Sequence, residues 1–517
     1  GDAMLMTSEE YRESLRRLSP KVYLGGKLVE SVADEPGFAP GVNATGITYD
    51  FARVDDYKDM MTTKGVNGDT ANRLLAINRS RQDLLEKLEA VRLTCQFAGC
   101  AQRYLTHDAF NALYEATWRI SERTGGENYD RLLAYIQHVQ ENDLSVGVAM
   151  TDGKGDRSKR PSQQEVREAY VHVTERRKDG IVISGVKAII TGAPYMHEFL
   201  VMPCRRMQED DKDFTIACAV PVDAEGITIV ARPAGRPENP AAKMSAKFAQ
   251  AVGVAHFDNV FVPYDKVFID GETEEAHIMT THYATHHRHS CIGARAGFGD
   301  LLIGAGAMMA EANGLDVEKK GHMREKMVDL IKITEGFYAC GIAASTMGVH
   351  DEAGNFRPDQ IYANIGKLLL ANQIYDMHRL AHDLSGGLVV ALPGPDEDHN
   401  PSTSAVLQDV LRGNPDVTYE HRANVARFIE DLTASETGGW YSVISLHGGG
   451  SPEAMKLEIL RNYNVQARRD LVQALFDRNA LELGKGMKID RQPGRCCAKG
   501  CHGDDLVSGN ANNKAAE

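Results

Sequence analysis

His286-His287-Arg288-His289-Ser290-Cys291 is the densest run of titratable side chains in the sequence. Imidazoles titrate near neutral pH and either move protons or ligate transition metals, so the run can serve a site, although an exposed helix start accounts for it equally well. Cys100 and Tyr104 lie four apart in a helical pattern and so share a face. A thiolate there can ligate a metal and a phenol can donate a proton, while core packing explains the pair as readily. Thr191-Gly192-Ala193-Pro194 ends a strand-like run. It would present a hydroxyl and a free backbone N–H to a flat heteroaromatic ring, or simply form a capped turn. The loop Met150-Thr151-Asp152-Gly153-Lys154-Gly155-Asp156-Arg157 carries Lys154 and Arg157 among turn-forming residues, suited to a phosphate or a ring edge. It lacks the spacing of a phosphate-binding P-loop, and no Gly-rich dinucleotide fingerprint follows a strand. Cys496-Cys497-Ala498-Lys499-Gly500-Cys501-His502 bunches soft ligands, but a structural zinc site pairs two spaced clusters, so no metal is expected there.

The elements that must position these groups fall in three blocks. From about Tyr11 to Asn142 the periodicity is helical. Ser80 precedes Asp83 by three positions as a helix cap, Leu84, Leu85, Leu88 and Val91 form one apolar face, and the pattern carries the helix past Cys100. Asp108 reads as the cap of the next helix. Gly180 to Phe268 is rich in β-branched residues broken by turn formers, with Val254 to Pro263 as its last long strand. Long helical patterns run from Glu275 to about Lys485, one of them Glu453 to Asp477 with Met455, Leu460 and Val472 on a bundle seam. The expected fold class is α+β: an N-terminal helical domain over 1–149, a middle antiparallel β domain with the loop over 150–275, a C-terminal helical bundle over 276–490, and a flexible tail over 491–517.

The chain has 517 residues, with 58 Lys and Arg against 72 Asp and Glu, a net charge of −14 that disfavours nucleic acid as a partner. No apolar run approaches the roughly 18 residues of a membrane span. The opening Gly1-Asp2-Ala3-Met4 lacks the order of a signal peptide, and a cytoplasmic location is expected. Nine irregularly spaced cysteines read as reduced thiols.

Taken together, several motifs carry a resemblance. Met150 to Arg157, Lys187 through Thr191-Gly192, His197-Glu198, Phe257-Asp258-Asn259-Val260-Phe261-Val262-Pro263, His287-Arg288, Asp383-Leu384-Ser385-Gly386-Gly387-Leu388 and His447-Gly448-Gly449-Gly450-Ser451-Pro452 are similar in order and spacing to the 4-hydroxybutyryl-CoA dehydratase and 4-hydroxyphenylacetate 3-hydroxylase flavoprotein family, closer to its dehydratase branch. The resemblance runs from about Met4 to Lys488. It implies an acyl-CoA dehydrogenase-like fold and FAD, with Thr191 near the flavin N5 and Met150, Thr151, Lys154 and Arg157 along the ring. Gly386 and Gly387 would approach the flavin across a subunit contact, implying a homotetramer or homodimer.

In the dehydratase branch three cysteines and a histidine hold a [4Fe–4S] cluster. Their positions here are Cys100, Tyr104, His287 and Ala294, so two ligands are missing and no cluster is expected. Two family glutamates fall on Val252 and Ile444, a tyrosine on Cys291 and a lysine on Arg295. Cys95 is five residues from Cys100, off its helix face, and is not expected to substitute. In the monooxygenase branch the phenol-binding positions fall on Leu105, Ala109 and Val148. The resemblance therefore implies an FAD enzyme acting on a CoA thioester or small acid by altered proton transfer or redox chemistry, with His287 as base and Tyr104, Cys100 and Arg295 beside it. The alternatives are a two-component monooxygenase served by a flavin reductase, and a non-catalytic flavin-binding paralogue.

Overall fold

The computed structural model describes residues 5–100 and 103–477. Met4, the cysteine-rich segment 496–502 and the tail over 491–517 lie outside the described residues. Among the described residues no helix is long and apolar enough to cross a membrane.

Ser80 accepts a hydrogen bond from the Asp83 N–H and starts helix α1, Arg81–Ala98. This helix stops short of Cys100, where the periodicity had carried it. Gly99 turns to φ +71° and its N–H closes on the Cys95 carbonyl at 2.8 Å. A Cβ on Gly99 would stand 2.1 Å from the Tyr441 hydroxyl, so both conformation and space demand glycine there. The chain restarts as α2, Tyr104–Thr124, followed by α3, Asn128–Asn142. Asp108 is consequently not a cap but a buried residue inside α2.

The strands are β1 (Lys21–Leu24), β2 (Lys27–Leu28), β3 (Val146–Ala149), β4 (His172–Arg176), β5 (Gly180–Thr191), β6 (Glu198–Val201), β7 (Ile216–Pro221), β8 (Ile227–Arg232), β9 (Val252–Pro263) and β10 (Val267–Asp270). They form a six-stranded sheet in the order β2-β1-β8-β9-β5-β4 and a four-stranded sheet in the order β10-β7-β6-β3. From β4 to β10 every pairing is antiparallel, as expected. The strands entering from the N-terminal side differ: β1 runs parallel to β8 and β3 parallel to β6. β1 lies in a segment that helical periodicity had claimed, but β-branched Val22 is buried in the sheet core, where packing overrides local pattern.

Beyond the sheets, α4 (Thr273–Ala312), α5 (Gly321–Thr346), α6 (Gln360–Ser385), α7 (Tyr419–Thr433) and α8 (Glu436–His447) follow. α4 packs against α1, α2, α5 and α6, and their shared apolar faces form one core that includes Leu88, Ile292, Phe298, Phe337 and Leu370. The single helix expected over Glu453–Asp477 is two, α9 (Pro452–Asn462) and α10 (Val465–Phe476). Asn464 breaks the run by accepting a hydrogen bond from Ala467 N as a new cap. Of the seam residues named above, Met455 is buried while Leu460 and Val472 are exposed.

Candidate functional site

Between the sheets and α4 lies a cavity of about 1230 Å³. Met150, Thr151, Lys154, Arg157 and Thr191 line it from the β side, Cys100 and Tyr104 from the α1–α2 junction, and His287, Cys291 and Arg295 from α4. The spacing explains the last group, since positions 287, 291 and 295 repeat every four residues on one helix face. Gly386 and Gly387 are exposed past the end of α6 and do not line the cavity of this chain.

The histidine run is no exposed helix start. It lies inside α4, with His286, His287, Arg288, His289 and Ser290 all buried. His287 Nδ1 is 3.0 Å from Asp108 Oδ2, and Nε2 is 3.6 Å from Cys291 Sγ. Tyr283 stacks on the imidazole at 5.4 Å between centroids, and Tyr104 at 6.2 Å. Asp108 is held in turn: Ser290 Oγ donates to Oδ1 at 2.7 Å, His107 Nδ1 lies 2.8 Å from the same oxygen, and Lys87 Nζ donates to Ser290 Oγ at 2.9 Å. Burial alone would lower the His287 pKa, but the Cys291 thiolate and the Asp108 carboxylate outweigh it and raise it to about 10. Burial likewise opposes ionisation of Cys291, yet His287, Lys367 and Arg295 bring its pKa below the ordinary thiol value. For His286 and His289, burial, joined by the Lys87 charge, outweighs the Asp108 carboxylate and drives their pKa values well down.

Cys100 Sγ is 3.5 Å from the Tyr104 hydroxyl, although the two do not share a helix. The turn at Gly99 also brings Cys95 to Cys100, contrary to the expectation from a continuous helix. The Cys95 hydrogen bond, followed by Arg295 and Tyr104, prevails over burial and lowers the Cys100 pKa to about 6. Burial and the Cys100 charge push Tyr104 well above the ordinary phenol value, so the pair favours thiolate and neutral phenol. Arg295 donates through Nε to Ser445 Oγ, while its buried Nη1 has no hydrogen-bond partner.

Two devices fix the cavity walls. Lys187 Nζ pairs with Asp152 Oδ1 at 3.0 Å and donates to the Met150 and Met202 carbonyls at 2.8 and 2.7 Å, tying the loop over 150–157 to β5. Opposite, Arg288 donates to the Gly449 carbonyl at 2.9 Å and to Asn364 Oδ1 at 2.6 Å, which seats the glycine loop on His287. Gly449 has φ +80°, and a Cβ on it would stand 3.1 Å from His287 Cδ2. Thr191 does lie at a strand end on the cavity, while the following Gly192 N–H is engaged by the Ala251 carbonyl at 2.8 Å. His197 has a different place: Ser14 Oγ and Ser145 N occupy both ring nitrogens, and burial lowers its pKa to about 3.

Residues 7–269 match the family model for the 4-hydroxyphenylacetate 3-hydroxylase N terminus, and 276–477 that for its C terminus. The chain belongs to the 4-hydroxyphenylacetate 3-hydroxylase family. It is 36% identical to the 4-hydroxybutyryl-CoA dehydratase/vinylacetyl-CoA-Δ-isomerase of Clostridium aminobutyricum, over 91% of this chain and 99% of that protein. A solved archaeal 4-hydroxybutyryl-CoA dehydratase from N. maritimus superposes with TM-score 0.88 at 33% identity, covering 94% of this chain and 99% of the other. The 4-hydroxyphenylacetate 3-monooxygenase oxygenase component of Thermus thermophilus is 24% identical over 92% of this chain and 98% of that protein. Within this family, the present chain is thus closer in sequence to that dehydratase than to that monooxygenase.

Ala294, Val252 and Ile444, the positions where the dehydratase resemblance placed a cluster cysteine and two glutamates, line the cavity as apolar side chains. So do Leu105 and Val148 from the phenol-binding set. Among the described residues no group of three or more His, Cys, Asp or Glu side chains is arranged to hold a metal ion. The wall carries eight Lys and Arg side chains against one carboxylate, Glu436. Arg205, Arg206, Arg232 and Lys367 among these were not legible as site residues, because they come from unrelated segments and share no local motif.

Proposed function

We propose that this family member binds FAD in the cavity and, without an iron–sulfur cluster, catalyses proton transfer that moves a double bond in a CoA thioester. The observation that carries this reading is the meeting on one cationic cavity of the loop over 150–157, Thr191 and the Asp108–His287–Cys291 chain. Lys154, Arg157 and Thr191 are the residues placed to hold the flavin, and the excess of cations suits the phosphates of both FAD and CoA. FAD, when bound, supplies reversible redox chemistry at its ring.

His287 is the group placed to move the proton. Asp108 fixes the ring through Nδ1, and Nε2 faces Cys291 Sγ, both residues lining the cavity. In its neutral form it takes the acidic α-proton of the thioester, and as imidazolium it returns a proton to the γ-carbon; its raised pKa makes the neutral form scarce at neutral pH, so turnover rises with pH toward about 10. A cluster does not suit the donor set. Cys100 and His287 remain, but Tyr104 and Ala294 offer a phenol and a methyl group where two thiolates are needed. The isomerisation half of a dehydratase/isomerase repertoire requires only proton movement and survives that loss. Assembly as a homotetramer or homodimer, with the exposed Gly386 and Gly387 meeting a second copy, belongs to the same proposal.

The test is incubation with a β,γ-unsaturated acyl-CoA in deuterated water. Conversion to the α,β-isomer with deuterium uptake, lost in His287→Gln, is expected. No exchange, together with hydroxylation of a phenol when reduced flavin and oxygen are supplied, would replace the reading with the monooxygenase one. That alternative has apolar Leu105 and Val148 on the cavity wall against it.

A further inference from the structure

We infer that Cys291 is a nucleophile that accepts an acyl group from a thioester, through a Cys291–His287–Asp108 triad built across α4 and α2. The geometry is that of an activated thiol. Sγ lies 3.6 Å from His287 Nε2, and His287 Nδ1 lies 3.0 Å from Asp108 Oδ2, so the base beside the sulfur is oriented by a third group. Asp108 is fixed by the Ser290 hydroxyl and by His107. Cys291 is only partly buried and lines the cavity, whereas Cys95 and Cys218 are fully enclosed.

A second observation points to the electrophile. Arg295 follows Cys291 by one helical turn, lines the same cavity and is 4% exposed; its guanidinium serves Ser445 and the Cys100 thiolate, yet its Nη1 has no hydrogen-bond partner. A buried guanidinium N–H left open beside a nucleophile suits the oxygen that becomes negative when a carbonyl is attacked. In the step assigned here, the Cys291 sulfur, its proton held on His287, adds to the thioester carbonyl carbon. The oxyanion forms by Arg295, the original carbon–sulfur bond breaks, and His287 returns the proton to the departing thiol. The products are an S-acyl Cys291 and a free thiol, with no change in oxidation state. The choice of thioester rests on the acyl-CoA reading above; the nucleophile itself rests on the triad.

The experiment uses the full chain, with flavin content measured separately. Alkylation by iodoacetamide and acylation by butyryl-CoA are followed by peptide mass spectrometry, comparing wild type with Cys291→Ala, His287→Gln and Asp108→Asn. Cys291 is expected to alkylate on the order of tenfold faster than an ordinary buried thiol such as Cys218, and to slow by a similar factor in His287→Gln and Asp108→Asn. With butyryl-CoA it should gain a hydroxylamine-labile acyl increment that is absent from Cys291→Ala. Slow alkylation, unchanged by loss of His287, in protein that still binds flavin would overturn the nucleophile alone. Fast, His287-dependent alkylation with no acyl increment would overturn the acyl transfer while leaving the acyl-CoA reading to the deuterium-exchange assay.

Discussion

Lys187 Nζ and Asp152 Oδ1 meet at 3.0 Å with both side chains almost wholly shielded from water, and this pair joins the loop of the candidate flavin site to the sheet behind it. Removing one partner of a buried pair leaves the other uncompensated, at a cost of about 3–5 kcal/mol, whereas replacing both by apolar groups is far milder. Lys187→Met should therefore lower the melting temperature and weaken FAD binding in a fluorescence titration. The double variant Lys187→Met/Asp152→Leu should recover most of the stability but not the affinity. Full FAD affinity in the single variant would mean that the loop is not a flavin contact.

His287→Gln removes the group that moves the proton while keeping a side chain able to hydrogen-bond Asp108. Turnover of the β,γ-unsaturated acyl-CoA should fall by about 10²-fold or more, with the fold intact by circular dichroism. Asp108→Asn leaves the imidazole in place but strips its fixed negative partner. Its kcat should fall while KM changes little, and the acidic limb of the pH–rate profile should shift, because the carboxylate is one of the charges that raise the His287 pKa.

Gly449→Ala tests the loop against the ring. With φ +80° the alanine backbone is strained by about 1 kcal/mol, and its Cβ would press within 3.1 Å of His287 Cδ2. A modest loss of stability is expected beside a disproportionate loss of kcat. Equal activity would show that the loop does not position His287.

Asp351 gives a pH signature away from the cavity. Burial, and then the Glu115 carboxylate, raise its pKa to about 7. The folded state therefore holds a proton that the unfolded chain, with a pKa near 3.9, releases. The stability this proton confers is complete in acid and is lost as pH rises from about 4 through 7. Asp351→Asn keeps the acceptor for the Asn355 N–H, bonded at 3.0 Å, and should remove that slope. Urea denaturation should show the variant gaining on wild type between pH 5 and pH 8, on the order of 2 kcal/mol. Parallel profiles would contradict the raised Asp351 pKa.

How much of this was legible beforehand depended on whether a feature was local. The order of helices, sheets and bundle follows from periodicities of 3.6 and 2, and His287, Tyr104, Cys100, Arg295, Thr191 and the loop over 150–157 do share one cavity. Asp108 read as a cap because a lone aspartate before an apolar run is locally ambiguous; only packing of α2 on α4 shows that it faces His287. Cys95 and Cys100 seemed to point apart because a turn at one glycine was invisible inside a helical pattern. The cationic wall assembles from β5-proximal loops, β8 and α6, and long-range convergence of that kind leaves no spacing to read. Gly386 and Gly387 lie off this chain's cavity.

The central claim is a flavin held without an iron centre. Its most direct test is an anaerobic ultraviolet-visible spectrum of the purified protein, with flavin, iron and acid-labile sulfide determined on the same sample. The account predicts an oxidised flavin spectrum, FAD stoichiometric with the chain after reconstitution, and iron and sulfide at background. Stoichiometric iron and sulfide with broad absorption beneath the flavin bands, or colourless protein that takes up no FAD, would contradict it.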